Sequence, residues 1–172
     1  ASLHEAAWQE TFDPFIAARV ERTHGRFSPF SSGDYFEHFH GRPRLEGARA
    51  FLASRGISLP EGEPNDEPGV ETVHGLANRK RQALLALLDR EGAGAFAGSQ
   101  HYLELARNAG VHRAVVSASA NTRMILERAG LAGLVEQCVD GETMAAERLR
   151  AKPAPDTLLA ACRLLGVEPR RT

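Results

Sequence analysis

The chain has 172 residues, 42% hydrophobic and 25% charged, with a formal net charge of −1. That length suits one domain, or a core with a modest insert. The near-neutral balance excludes bulk electrostatic binding of nucleic acid or an anionic membrane, so any anion site must be local.

No apolar run approaches the ~20 residues of a membrane span, and no signal peptide, internal repeat or low-complexity tract is visible. Cys138 and Cys162 fit no spaced metal motif and read as free thiols in a reducing cytoplasm. Ser2-Leu-His-Glu5 is a capping box. Trp8, Phe12, Phe15 and Ile16 follow at helical spacing, predicting an amphipathic helix to about Val20. His4 and Trp8, four apart, share a face of it. A breaker-rich loop spans Thr23 to Gly33 and includes Gly25. Asp34 is placed to cap a short helix carrying Tyr35, Phe36 and Phe39, with His38 and His40 as surface or structural residues. Pro43 suits the first turn of the next helix, whose apolar face is Leu45, Ala48, Phe51 and Leu52 and whose stop is Gly56. Arg42 and Arg44 flank that proline, a pattern that serves equally as an anion clamp or an exposed turn. After a polar loop over Ser58 to Gly69, Val70 to Arg90 reads as a long helix. Its basic middle, Asn78-Arg-Lys-Arg81, has the look of a wet face.

Glu91 to Gly98 reads as a hinge, and His101 to Asn108 as a helix with Tyr102, Leu105 and Ala106 inward. Ala114, Val115 and Val116 are a short buried strand, followed at once by Ser117, Ala118 and Ser119. Asn121 is placed to cap Thr122–Arg128. Strand, hydroxyl-rich turn and helix start aim amides and hydroxyls at one spot, where a phosphate is the natural occupant. A second short buried segment, Leu134, Val135 and Val139, ends at Asp140-Gly141, a turn signal, before a brief helix over Thr143 to Arg150. Then comes Ala151-Lys-Pro-Ala-Pro-Asp156, and Lys152 is one of two lysines beside nineteen arginines. A compact ammonium on a proline-stiffened turn suits a phosphoryl group. Asp156 is placed to cap a last helix through Leu165, closed by Gly166.

Ser117-Ala-Ser-Ala-Asn121 and Lys152-Pro-Ala-Pro-Asp156, in this order and spacing, resemble motifs II and III of the haloacid dehalogenase superfamily, its β-phosphoglucomutase branch in particular. The resemblance implies an α/β fold: a Rossmann-like parallel-sheet core, incomplete here, with an inserted α-helical cap. The cap is expected over residues 11–92 and the partial core over 1–10 plus 93–172. Ser117 and Lys152 take the catalytic positions, with Ser119 and Asn121 beside them as substrate contacts. His4 and Trp8 match a pair that begins the cap and looks into the site. Arg44, with Arg42 second, matches a substrate-phosphate arginine. Asn78 departs from a position where some mutases carry lysine, and Lys80 is close by to serve.

The implied chemistry is Mg2+-dependent phosphoryl transfer on a small phosphorylated metabolite, probed by a cap that closes over the site. The aspartate nucleophile and its partner are expected upstream of Ala1, and the acidic pair for Mg2+ beyond Thr172. The chain is therefore expected to be an internal piece of a longer enzyme, inactive by itself. Mutase and phosphatase differ only in whether a sugar hydroxyl or water accepts the phosphoryl group. Other readings are a non-catalytic binding module on the same fold, and Mg2+-independent haloacid dehalogenation.

Overall fold

The structure, a computed structural model, describes residues 2–24, 26 and 28–171; Ala1, Gly25 and Thr172, named above as chain start, loop breaker and chain end, lie outside the described residues. The chain forms two compact units, Ala1–Glu91 and Gly92–Thr172.

The first unit is helical. Helix α1 (Leu3–Thr23) starts where the capping box predicts: Ser2 Oγ accepts the Glu5 amide at 3.2 Å and the Glu5 carboxylate accepts the Ser2 amide at 3.3 Å. The helix runs unbroken through residues 10 and 11, where the inserted cap was expected to begin. After α2 (Ser32–Asp34) the chain makes a π-helical turn over Tyr35–Phe39. Ser31 caps this segment, not Asp34, which sits three residues on and returns its carboxylate to the Ser31 amide at 2.9 Å. Ser31, three positions earlier, offers its hydroxyl as the cap acceptor, so Asp34 completes a second capping box instead of starting one. Helix α3 (Arg44–Ser54) opens directly after Pro43. Gly56, at φ +63°, follows its end as the left-handed stop. Helix α4 is Val73–Glu91.

Aromatic rings fill the core between these helices. Trp8, Phe12, Phe15, Phe30, Phe39 and Phe51 are all buried. Trp8 and Phe39 rings lie 4.3 Å apart, as do Phe12 and Phe51. Such pairs contribute about 0.5–1.5 kcal/mol each beyond the area they bury. Phe36, by contrast, points outward at 64% exposure, because the π turn shifts it off the inward face.

The second unit holds a two-stranded parallel sheet, β1 (Ala114–Val116) and β2 (Gln137–Val139), in the register Ala114↔Gln137 and Val116↔Val139. Helix α8 (Asp156–Leu165) covers one face, packing Ala160 and Ala161 on Val139, Ala114 and Val116. With one face covered, β1 is half-buried and not the fully buried strand expected. Helix α5 (Ala97–Asn108) differs more. Tyr102 and Leu105, expected inward, are 71% and 53% exposed; the main packing of that helix in the unit is on the short turn at Ala132–Leu134. Helix α6 is Thr122–Arg128 and α7 is Gly141–Glu147. Asp140-Gly141 is thus a helix start and not a loop turn: Asp140 Oδ1 accepts the Thr143 amide at 2.9 Å. Pro155, not Asp156, occupies the N-cap of α8, while the Asp156 carboxylate takes the Arg150 amide and guanidinium at 2.9–3.1 Å.

Candidate active site

In the second unit the residues after β1 form a tight hydroxyl turn. Ser117 keeps its amide in the sheet, donating to Val139 O at 2.9 Å. Its Oγ accepts the Ser119 amide and Ser119 Oγ accepts the Asn121 amide, each at 3.2 Å. These short side-chain-to-backbone bonds curl the turn. They also use the hydroxyls as acceptors, leaving both O–H groups available to donate. Among the described residues no acceptor is found for the Ala118 and Ala120 amides. Asn121 stands at the N-cap of α6 but makes no side-chain cap there; Thr122 Oγ1 donates to Ser119 O at 2.7 Å instead. At seven residues α6 contributes little dipole, so the anion-binding character of the turn rests on hydroxyls, amides and the nearby cation.

That cation is Lys152. Its Nζ lies 3.4 Å from Val116 O, the carbonyl just before Ser117. The structure therefore brings Ser117 and Lys152 together across 35 residues of sequence, with Ser119 and Asn121 in the same turn. Lys152 itself is exposed, so its charge is open to a ligand.

The first unit carries a second cationic group. Lys80, on α4, is 5% exposed. Its Nζ is 2.8 Å from His4 Nδ1 and 5.5 Å from the centre of the Trp8 ring. An ammonium has no lone pair, so it donates to His4 Nδ1 and to the π face, and the His4 proton then sits on Nε2. Burial, and then the Arg44 charge, push Lys80 down to about 7. Burial, and then Lys80, push His4 down to about 4, so His4 is neutral at physiological pH. Arg44 is also held below its usual range, by burial and then by Arg81. Three cations thus crowd one patch, and no carboxylate figures among the causes of these shifts. Such a patch is disfavoured as it stands and favoured once an anion enters it.

The expectation of a wet basic turn on α4 fails for Lys80. Positions 73, 76, 77, 80, 84, 87 and 88 form one helical face, and Lys80 shares it with Val73, Leu76, Ala77, Leu84, Leu87 and Leu88. That periodicity was the available signal. Trp8 is both in the core and beside Lys80. Asn78 is drawn elsewhere: its Nδ2 donates to Pro64 O at 3.0 Å and Asp66 O at 2.9 Å, pinning the polar loop. Arg42 is exposed, and its amide closes the turn on Phe39 O at 3.1 Å.

Among the described residues no group of three or more His, Cys, Asp or Glu side chains could hold a metal ion. Asp140 is occupied by Arg123 and Thr143, and Asp156 by Arg150. The residues present do not by themselves make a Mg2+ site.

The model of the haloacid dehalogenase-like hydrolases matches residues 2–172. The β-phosphoglucomutases of Mycobacterium bovis and Mycobacterium tuberculosis are each 49% identical over 170 residues, 98% of this chain and 65% of theirs. The chain thus spans a little under two thirds of these relatives. Among solved structures, β-phosphoglucomutase from Clostridium difficile superposes with a TM-score of 0.71 at 18% identity, covering 98% of this chain and 66% of that one. CbbY from Rhodobacter sphaeroides, solved in complex with phosphate, gives 0.67 at 24% identity, covering 98% and 68%. At these identities the structural likeness is one of fold. Among the described residues no helix is long and apolar enough to cross a membrane.

Proposed function

The chain belongs to the haloacid dehalogenase-like hydrolases, and from that premise we propose that it serves phosphoryl transfer on a small sugar phosphate, as part of a β-phosphoglucomutase-like enzyme. The observation that carries this is the placement of Lys152 Nζ 3.4 Å from the carbonyl before Ser117, beside a turn whose hydroxyls accept from their own backbone and so keep their O–H groups for a ligand. Such O–H donors and an adjacent ammonium suit the three oxygens of a phosphoryl group, and they strengthen as charge develops on it. The 49% identity to mycobacterial β-phosphoglucomutases supports the mutase branch.

In this reading Ser117 and Ser119 hold the transferring phosphoryl oxygens and Lys152 neutralises charge on them. Substrate recognition falls to His4, Trp8, Lys80 and Arg44. The under-neutralised cations, buried Lys80 and half-buried Arg44, suit a further anionic group of the substrate, and neutral His4 can donate from Nε2 to a sugar hydroxyl. Asn78 drops out of the recognition set, its amide nitrogen being engaged by Pro64 O and Asp66 O, while Arg42, exposed on the turn before α3, stays second to Arg44. A Mg2+ ion would supply further neutralisation of the phosphoryl oxygens, but the described residues offer no cluster of ligands for it.

The test uses the full-length protein with β-glucose 1-phosphate. Glucose 6-phosphate as product supports the mutase; free phosphate alone leaves a sugar phosphatase; no turnover of either kind rejects the proposal. Ser117→Ala and Lys152→Met should each lower turnover by about 10²–10³, the usual loss on removing one donor to a developing anion.

A further inference from the structure

We propose that Gly141, locked at the end of β2 by Asp140 and Arg123, is a positioning residue that sets the path of the Ser117–Asn121 turn and thereby how tightly that turn holds a phosphoryl group. This rests on the reading of the turn as a phosphoryl site.

Within itself the turn is held by two 3.2 Å bonds from amides to serine hydroxyls, and Thr122 Oγ1 adds one to Ser119 O at 2.7 Å. What fixes it from outside is the start of α7. The Gly141 amide donates to Ser119 O at 3.2 Å. The two backbones approach so closely that a Cβ on Gly141 would stand 2.7 Å from Ala118 O, 2.8 Å from Ala120 N and 3.1 Å from Ser119 C. All three are main-chain atoms of the turn, so no side chain can rotate away to make room. Gly141 has no left-handed φ to explain its identity; the close approach does.

Gly141 is itself held. Asp140 is 1% exposed and fully used: Oδ1 accepts the Thr143 amide and hydroxyl, both at 2.9 Å, and Oδ2 accepts Arg123 Nε at 3.0 Å. Arg123 also donates to Cys138 O at 3.0 Å, bridging β2 and the cap residue. Burial raises the Asp140 carboxyl, but the Thr143 and Arg123 donors outweigh it and leave it below the usual carboxylate range. Arg123 is on α6, which the turn leads into, so the clamp links both ends of the turn to β2. A methyl group at position 141 must therefore displace the turn and not α7. The shift is roughly half an ångström, and misplacements of that order cost about tenfold in a preorganised site.

The experiment measures inhibition by inorganic phosphate, and KM and kcat for the phosphorylated substrate, on the full-length enzyme and its variants. Gly141→Ala should weaken phosphate about tenfold with an unchanged circular dichroism spectrum. Arg123→Ala should weaken it less, and Arg123→Lys should recover part of that loss, since lysine restores the charge at Asp140 but not the second bond to Cys138 O. If wild type binds no phosphate at all, the reading of the turn fails first. If wild type binds and all three variants bind equally well, the positioning role is wrong. Should Gly141→Ala not fold, the Arg123 pair decides the matter alone.

Discussion

Lys80 is the residue at which stability and function should pull in opposite directions. Its pKa is about 7 in the folded chain, against 10.5 when exposed. Each unit of such a shift corresponds to about 1.4 kcal/mol, so holding the ammonium buried costs the fold roughly 4–5 kcal/mol at pH 7 and below. The sign follows from proton counts. Between pH 7 and 10.5 the unfolded chain binds more protons at this side chain than the folded one, so stability should rise with pH across that window. Lys80→Met keeps an unbranched chain against Trp8 and removes the charge. It also leaves His4 Nδ1 without its donor, a loss of about 1 kcal/mol. The net expectation is a gain of about 3 kcal/mol at pH 6.5, shrinking to nothing near pH 10, together with a large rise in KM for the sugar phosphate. Urea denaturation of the full-length protein at pH 6.5 and 9.5, wild type against variant, reads both numbers. A variant less stable than wild type at pH 6.5 would falsify the premise that Lys80 is a buried cation awaiting its anion.

Other expectations concern residues around the two sites. Asn78→Ala should cost about 1–3 kcal/mol by freeing Pro64 O and Asp66 O, yet leave KM for the sugar phosphate within about twofold of wild type; a large KM change would return Asn78 to substrate recognition. Asp34 is held below the usual carboxylate range: burial opposes this, and the Ser31 and Arg55 donors outweigh it. Its stabilisation should be complete above pH ~4 and fade as pH falls through the folded pKa, so Asp34→Asn should flatten the acid limb of the stability curve. Gly62 has φ +76°, and a Cβ there would meet Asp66 and Thr72. Gly62→Ala should therefore lose more than about 1 kcal/mol, and equal melting temperatures would show that the loop can re-form.

Much of this molecule could be read from local chemistry. The Ser2 box, the stop at Gly166 and the helix after Pro43 each depend on a few neighbouring residues, and each stands where expected. So does the turn Ser117 to Ser119, because a strand running into small hydroxyl residues has few other ways to fold, whereas Asn121 stands at the start of α6 without the side-chain cap expected of it. Readings failed where one dipeptide serves two purposes or where packing partners decide. Asp140-Gly141 works as a turn and equally as a cap with its first helical residue; only the position of Thr143 distinguishes them. Tyr102 and Leu105 carry the right period, yet both are left more than half exposed. Lys80 was hidden by its neighbours, since Arg79 and Arg81 make the segment look wet while the 73–88 period turns position 80 inward.

The scarcity of lysine has a practical use. Of twenty-one basic side chains only two are primary amines, and both stand at the places on which the functional reading depends. An amine-selective reagent has almost no background on this chain. Reductive methylation or a fluorinated acyl tag at Lys152 and Lys80 would plant one spectroscopic reporter in each unit, with no mutagenesis. The near-neutral Lys80 amine should be the stronger nucleophile at pH 7 and the slower to be reached through its burial, so labelling rates with and without sugar phosphate would follow occupancy of the two places separately.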